Sequence, residues 1–159
     1  MADVAEAAGV GRATLYRHFS SREALLAALA GTALREASEH IRQAKLDAVP
    51  VEEAIARLAR AFVTVGSHYM VLVREHASID KEALERECHA PVQALFARGQ
   101  ATRELRDDLP VEWLEELFVS ALLAGLSLAA ERGLGVEETA ASVVSLFLDG
   151  VRGRGASAG

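Results

Sequence analysis

Apolar residues recur three and four positions apart along almost the whole chain, which is the spacing of one face of an α-helix. No stretch alternates apolar and polar residues for long enough to predict a β-strand. Glycine, proline and short polar clusters interrupt this pattern and divide it into separate elements. The sequence therefore predicts an all-α protein with helices at residues 1–8, 12–18, 21–46, 51–68, 69–77, 81–104, 111–132 and 136–150.

The predicted helix ends carry residues that helix termini favour. Gly9 suits the left-handed turn that stops a helix. Ser20 and Glu23 have the spacing of a capping box, which predicts a helix start near Ser21. Pro50 suits the first turn of a helix, where its missing N–H costs nothing. Pro91 lies inside a predicted helix, and we expect a kink there.

Composition agrees with a helical globular protein. Hydrophobic residues make up 51% of the 159 residues and charged residues 25%, which is enough apolar material for a core. Aromatic residues are only 5%, while alanine and leucine dominate, so helices are favoured over strands. This length suits one domain, or two small ones that share a helix.

Charge is distributed unevenly. The net charge of −6 argues against a general nucleic-acid binder. Within residues 1–22, however, Arg12, Arg17 and Arg22 outnumber Asp3 and Glu6, so this segment is +1 and the remainder is −7. A weakly basic tip on an acidic body favours local contact with DNA.

Three observations predict a cytoplasmic protein. Cys88 is the single cysteine, so no disulfide can form within the chain and a reducing compartment is the default. Asp3 and Glu6 interrupt any signal peptide. The longest uncharged stretch, residues 117–130, is shorter than the roughly 18 apolar residues that span a bilayer. We therefore expect no membrane partner.

Residues 3–25 have the organisation of a helix-turn-helix unit: a short helix, a tight turn that contains Gly9, and a second short helix. Ala5 and Gly9 are small where the two helices would cross. The second helix of such a unit presents its side chains to the major groove of DNA. A small core could be closed by Val4, Ala8, Val10, Leu15 and Phe19, and the outer face would hold Arg12, Ala13, Thr14, Tyr16, Arg17 and His18.

The stretch DVAEAAGVGRATLYRHFSSREALL, residues 3–26, resembles the DNA-binding segment of the tetracycline-repressor (TetR) family of transcriptional regulators. Gly11 stands where the family usually has serine, which removes a helix cap. Arg22 replaces the usual lysine and keeps its charge. The family pattern is matched at Val4, Ala5, Ala8, Gly9, Val10, Thr14, Leu15, Tyr16, His18, Phe19, Ser21, Glu23 and Leu25.

By this resemblance, the start of the second helix lies nearest the DNA bases. Arginine can read guanine through two hydrogen bonds, and alanine or threonine can touch a thymine methyl group. Phosphate contacts fix the register of the protein on the duplex. The alternative is a solvated surface on an unrelated helical bundle. The resemblance assigns base contacts to Arg12, Ala13 and Thr14, phosphate contacts to Tyr16, His18 and Arg22, and either role to Arg17.

The resemblance also implies a further helix before the one that begins at Met1. We expect that, without it, Val4, Ala8, Leu15, Phe19 and Leu26 lack apolar cover, because two short helices are marginal alone. Residues 1–19 would then be less ordered than the body and bind DNA weakly. A start codon placed at an internal methionine or a real truncation would each account for this.

The two C-terminal helices, 111–132 and 136–150, are wider in apolar surface than a solvent-facing helix needs. The resemblance implies that they pair with those of a second copy in a four-helix bundle, since a two-fold dimer matches a palindromic operator. The alternative is that their apolar faces are internal core. The predicted interface comprises Leu114, Phe118, Ala121, Gly125, Leu128, Val136, Ala140, Val143 and Phe147.

The middle helices hold apolar and aromatic residues that, in the resembled family, line an effector cavity beneath the long helix. An apolar pocket with a few polar groups suits a lipophilic or cationic effector. The alternative is a filled core whose polar atoms are satisfied. The predicted lining is Phe62, Val65, Tyr69, Cys88, His89, Val92, Phe96, Trp113 and Leu117, with His68 as a further polar candidate.

Metal and catalytic sites are not predicted. Glu75-His76 and Glu87-Cys88-His89 hold metal-ligating side chains, but neighbours on a helix point about a quarter-turn apart and do not converge on one ion. The chain has no phosphate loop, nucleophile elbow or HExxH motif. We therefore expect no cofactor and no enzymatic activity.

Together these features predict a repressor that a small-molecule effector releases from palindromic operator DNA. One alternative is a dimeric ligand-binding or interaction module that has lost DNA binding, and a remote one is a small helical enzyme. We divide the chain into a DNA-binding unit with its linking helix at residues 1–40, an effector-binding and dimerisation domain at 41–151, and a disordered tail at 152–159. Neither effector nor operator is identified by the sequence.

Overall fold

The computed structural model describes the backbone of residues 1–74 and 78–152 and the side chains of residues 1–66 and 78–152. This part of the chain is helical, which confirms the predicted all-α class. The elements are α1 (Ala2–Ala7), α2 (Arg12–His18), α3 (Arg22–Ala44), α4 (Val51–Arg74), α5 (Lys81–Leu84), a π-helical segment (Glu85–His89), α6 (Ala90–Ala101), α7 (Val111–Arg132) and α8 (Val136–Val151).

Helix α4 is continuous where two helices were predicted. The expected break between residues 68 and 69 does not occur, and the helix runs to Arg74. No proline interrupts this stretch, and packing against α3, α7 and α8 overrides the weaker helix propensity of the residues near Gly66. The end of the second predicted helix, residues 75–77, lies outside the described residues.

The kink expected at Pro91 takes the form of a π-helical turn. Pro91 has no N–H, so the carbonyl of Glu87 lacks the donor that would continue the α-helical ladder. The turn before it widens instead, and the Ala90 N–H donates to the carbonyl of Glu85, five residues back. Helix α6 ends at Ala101 rather than near residue 104, because Arg103 takes a left-handed backbone conformation.

The core lies where α4, α6, α7 and α8 meet. Phe96, Phe118 and Phe147 form an aromatic cluster with ring centroids 4.8 to 5.8 Å apart. Leu114 and Ile55 are fully buried beside them. Edge-to-face and tilted aromatic contacts of this kind add to the stabilisation that comes from burial alone.

Helix α7 is long and apolar enough, by length and composition, to cross a membrane. The uncharged run counted in the sequence is shorter, but the whole helix meets that test. Core helices of globular proteins meet it too, and here Leu114, Phe118 and Leu122 pack into the chain's own core. Only 28% of the apolar stretch is buried within the chain, so a large apolar face remains on the outside.

Helix α3 connects the N-terminal unit to the body. Its 23 residues span about 35 Å at ~1.5 Å per residue. The turn that follows it is held by Arg98, whose guanidinium donates to the carbonyls of Leu46 (2.8 Å), Asp47 (3.0 Å) and Val49 (2.9 Å). The end of α3 that is farther from the N-terminal unit is therefore anchored to α6.

The C-terminal boundary differs by one residue from the predicted tail. Arg152 forms an antiparallel bridge with Leu105 and ion pairs with Glu52 (3.0 Å) and Asp149 (3.2 Å). It therefore belongs to the body, because three contacts order it. The rest of the predicted tail, residues 153–159, lies outside the described residues.

Candidate functional site

The turn between α1 and α2 is built on Gly9. Its φ of +67° is in the left-handed region, which residues with a Cβ adopt only at a cost. The N–H of Gly9 donates to the carbonyl of Glu6 (3.0 Å), and that of Val10 donates to the carbonyl of Ala5 (2.9 Å). This hydrogen-bond pair is the Schellman motif, and it turns the chain sharply enough to set α2 across α1.

Helix α2 presents one polar face to solvent. Leu15 is buried, while Arg12, Ala13, Tyr16 and Arg17 are exposed. Thr14 is half-buried and His18 is exposed at the edge of the same face. The first turn has no side-chain cap, because its N-cap residue is Gly11. The residues of α2 that were predicted to contact DNA are therefore accessible to solvent.

The small core between α1 and α2 is narrower than predicted. Ala5 and Leu15 are buried and Phe19 is half-buried, as expected for inward positions. The prediction that Val4, Ala8 and Val10 close this core is wrong. Val4 and Val10 are about 40% exposed and Ala8 is exposed, because helices of six and seven residues have too little surface to cover them.

The N-cap of helix α3 lies one residue later than predicted. Ser21, rather than Ser20, is the N-cap, and its hydroxyl accepts a hydrogen bond from the N–H of Ala24 (3.1 Å). A hydrogen bond to its own backbone, and then one from the Ser21 hydroxyl, lower the pKa of Glu23. Arg22 is exposed in the first turn, where backbone N–H groups favour an anion such as a phosphate.

A cavity of about 90 Å³ lies beneath the middle of α3. The wall from α3 consists mainly of small residues at helical spacing, and the opposite walls come from α4, the π-helical segment, α6 and α7. The lining is almost wholly apolar. It comprises Ala30, Ala33, Leu34, Ala37, Ile41, Leu58, Phe62, Val65, Ile79, Leu84, Cys88, His89, Val92, Glu115, Phe118, Val119 and Leu122.

Five of the predicted effector residues line this cavity: Phe62, Val65, Cys88, His89 and Val92. Three do not, and their assignment is corrected. Phe96 is fully buried in the core beneath the cavity, and Trp113 (62% exposed) and Leu117 (52%) lie on the face of α7 that points away from it. The side chains of His68 and Tyr69 lie outside those that the structure describes.

Cys88 contributes an uncharged side chain to the cavity wall. Burial raises the pKa of its thiol to about 11, and the nearby charge of Glu87 acts in the same direction. The thiol therefore stays protonated at neutral pH and behaves as a small apolar group.

One polar residue of the cavity wall, Glu115, was not predicted. Glu115 is buried, with 6% of its surface exposed. One of its carboxylate oxygens is hydrogen-bonded to Nδ1 of His89, and the other accepts from Nε2 of Gln93 at 2.7 Å. The sequence does carry an indication of this site, because Glu115 lies three residues before Phe118 on the apolar face of α7.

Most residues of the predicted dimer interface on α7 and α8 do not lie on the surface of the chain. Five of its residues are buried in the chain's own core and cannot contact a partner: Leu114, Phe118, Ala140, Val143 and Phe147. Gly125 packs against α8 of the same chain, since a Cβ placed there would lie 2.7 Å from Val143. Ala121 is half-buried beside it, while Leu128 and Val136 are exposed.

An exposed apolar stripe occupies the opposite face of these two helices. Trp113, Leu117 and Leu128 are 50 to 62% exposed and follow one another at helical spacing along α7. Leu146, on the neighbouring helix α8, is also exposed, at 77%. Contiguous apolar patches on the surface of a protein often mark interaction surfaces.

Among the described residues, no three histidine, cysteine or acidic side chains gather where they could hold a metal ion. The pair Glu75-His76 lies outside these residues. The side chains of Glu87, Cys88 and His89 do not all point the same way, since Cys88 and His89 line the cavity while Glu87 does not.

Comparison with known proteins accounts for the N-terminal unit. The family described as "Bacterial regulatory proteins, tetR family" matches residues 1–29, which cover α1, the Gly9 turn, α2 and the start of α3. The N-terminal unit is therefore a DNA-binding unit of the TetR family. The chain is a DNA-binding transcriptional regulator, and the sequence-based assignment is confirmed.

Relatives of this regulator align with most of the chain. The HTH-type transcriptional repressor LfrR of Mycolicibacterium smegmatis is 24% identical over 151 residues, which are 95% of this chain and 79% of LfrR. The crystal structure of LfrR in complex with proflavine aligns with a TM-score of 0.71 and 25% identity over 93% of this chain and 83% of that one.

A second solved structure shows the same fold. PfmR, a TetR-family regulator of Thermus thermophilus, aligns with a TM-score of 0.73 and 23% identity over 92% of this chain and 86% of that one. These relatives are regulators rather than enzymes.

Proposed function

We propose that this protein is a repressor that binds a palindromic operator as a homodimer and is released by a small molecule held in the cavity. One observation carries the proposal: α3 begins at the DNA-reading unit and forms a wall of the cavity. A ligand that enters the cavity therefore presses on the helix that positions α2. A cytoplasmic location, where the DNA lies, is part of the same proposal.

For DNA recognition, the exposed face of α2 supports the roles that the sequence suggested. Arg12 and Ala13 lie in the first turn of α2, the part of a recognition helix that reaches base edges. Thr14 borders them, and Tyr16 and Arg17 extend the same accessible face. His18 and Arg22 flank it at the helix junction, where they would hold phosphates and fix the register.

Dimerisation through the exposed stripe on α7 and α8 supports the symmetry that the proposal needs. Trp113, Leu117, Leu128 and Leu146 would be removed from water if two copies packed these helices together. Such an interface is isologous, because each copy presents the same stripe. Two recognition helices would then face successive major grooves, about 34–36 Å apart along the duplex.

Release follows from how α3 is held. The loop after its C-terminal end is fixed by Arg98, its middle covers the cavity, and its N-terminal end carries α2. Ala30, Ala33 and Ala37 give α3 a flat surface there. A ligand that fills this cavity would push this surface outward, which would tilt α3 and change the spacing of the two recognition helices.

The proposal is tested by linkage between ligand and DNA. Proflavine, the ligand of the LfrR complex, is the first probe, and the DNA is the duplex directly upstream of the gene. We expect proflavine to weaken DNA binding by about 5–150-fold, the range of a typical allosteric coupling. By reciprocity, DNA should weaken binding of proflavine to the protein by the same factor, measured by fluorescence anisotropy for each ligand after subtraction of the proflavine that the duplex binds without protein.

A cavity-filling variant supplies the control. Val119→Phe places a ring into the cavity from the half-buried position on α7. It should lose the response to proflavine while binding DNA as before. Equal proflavine affinity for free and DNA-bound protein would contradict effector gating. Ligand binding without any DNA binding would favour a ligand-binding module instead.

A further inference from the structure

The cavity wall contains one acidic side chain, and no basic lysine or arginine side chain accompanies it among the described lining residues. This acidic residue is Glu115. Its side chain is 8% exposed, against 37% for His89. A buried carboxylate is costly unless it is paired and hydrogen-bonded, and here its described hydrogen-bond partners are His89 and Gln93.

The two hydrogen-bond partners of Glu115 differ in how easily a ligand could replace them. Gln93 is a side-chain amide on α6, the helix that also carries buried Val92 and Phe96. His89 is more exposed and lies at the end of the π-helical segment, so its ring can turn toward water when a better partner for Glu115 arrives. An ammonium or a delocalised nitrogen cation is such a partner, because charge-assisted hydrogen bonds and ion pairs are stronger than neutral ones.

We propose that Glu115 recognises the effector by its positive charge, and that the effector is a small aromatic organic cation which displaces His89. This rests on the proposed function, because it takes the cavity as the effector site. The walls suit the rest of such a molecule: Phe62 and Phe118 offer ring faces, and Ala33 and Ala37 leave room for a flat ring. Cations also bind favourably over aromatic faces.

Displacement of His89 gives the ligand a direct route to α3. His89 ends the π-helical segment, and this segment contacts α3. When Glu115 changes partner, the anchor between this segment and α7 is lost. The segment can then shift against α3, so charge recognition and release of DNA depend on the same histidine.

The test compares two probes of nearly identical shape. N-methylquinolinium carries a permanent positive charge, and 1-methylnaphthalene is its neutral analogue. Both are titrated into the wild-type protein, Glu115→Gln and Glu116→Gln by calorimetry. Glu116 is the matched control, because it is the next residue of α7, it is exposed, and it carries the same charge.

We expect Glu115→Gln to weaken binding of N-methylquinolinium about tenfold or more, because the cation loses its ion pair with a buried carboxylate. Binding of 1-methylnaphthalene should change by less than about threefold, since it does not use the charge. Glu116→Gln should leave both affinities unchanged. His89→Ala should strengthen binding of the cation, because it removes the group that the cation must displace.

The opposite results separate this proposal from the proposed function. If both probes bind the wild type and Glu115→Gln equally well, the cavity accepts ligands but Glu115 does not read charge, and the proposal fails. If neither probe binds the wild type, the cavity is not an effector site for molecules of this size, and both fail. If His89→Ala weakens the cation as Glu115→Gln does, His89 supports the ligand rather than yielding to it, and displacement is contradicted. Circular dichroism of each variant checks that the fold is kept.

Discussion

Replacement of Phe118 by alanine is expected to lower the free energy of unfolding by about 3–5 kcal/mol, the range for loss of a buried aromatic side chain. Phe118 is fully buried, and its ring lies 5.8 Å from that of Phe96 and 4.8 Å from that of Phe147. Its removal leaves a hole that three helices border. Urea unfolding followed by circular dichroism, at one protein concentration, measures the loss.

Leu117→Ala is the matched control for this prediction. Leu117 is adjacent in sequence but 52% exposed on the outer face of α7. Its replacement should alter stability mainly through dimerisation, so the effect should be absent at concentrations where both proteins are monomers and should grow as protein concentration rises. If Leu117→Ala unfolds the protein at every concentration and Phe118→Ala does not, the core face of α7 has been assigned the wrong way round.

Placement of an arginine at Leu128 is expected to dissociate the dimer. Leu128 lies within the exposed stripe of α7, and a second copy packed on it would bury the new charge without a partner. An unpaired buried charge costs several kcal/mol, which is a large part of the stability of a dimer. Light scattering should then report a monomer, and DNA affinity should fall to that of a single half-site.

Ala97→Arg is the control for the same added charge. Ala97 is exposed on α6, outside the stripe, so this variant should remain dimeric and bind DNA normally. A Leu128→Arg protein that stays dimeric would show that two copies associate through another surface.

The N-terminal unit could be predicted almost completely, because local chemistry determines it. Gly9 is required by the left-handed turn, and the α2 boundaries at Arg12 and His18 agree with the prediction. The inner face was misjudged there, and the cap of α3 was placed one residue too early. Val4 and Val10 are apolar and inward in the pattern, yet the helices are too short to cover them.

The body was harder to predict, because α7 has two apolar faces. Leu114, Phe118 and Leu122 have helical spacing, and so do Trp113, Leu117 and Leu128. Periodicity gives the spacing of a face but not its partner, so the core face was taken for the dimer face. The buried site at Glu115 was missed for a related reason: its partners, His89 and Gln93, are 26 and 22 residues away in sequence.

The measurement that tests the central claim most directly is DNA binding by α2. A labelled duplex from directly upstream of the gene is titrated at several salt concentrations with the wild type, Arg12→Ala and Arg103→Ala. Arg103 is exposed in the loop after α6, at the end of the molecule where Arg98 anchors α3, and so serves as the control. We predict that Arg12→Ala weakens binding by about 1–3 kcal/mol and relaxes sequence preference, while Arg103→Ala does neither. Equal affinity and an equal salt slope for all three proteins would contradict the assignment of α2 as the DNA-reading helix.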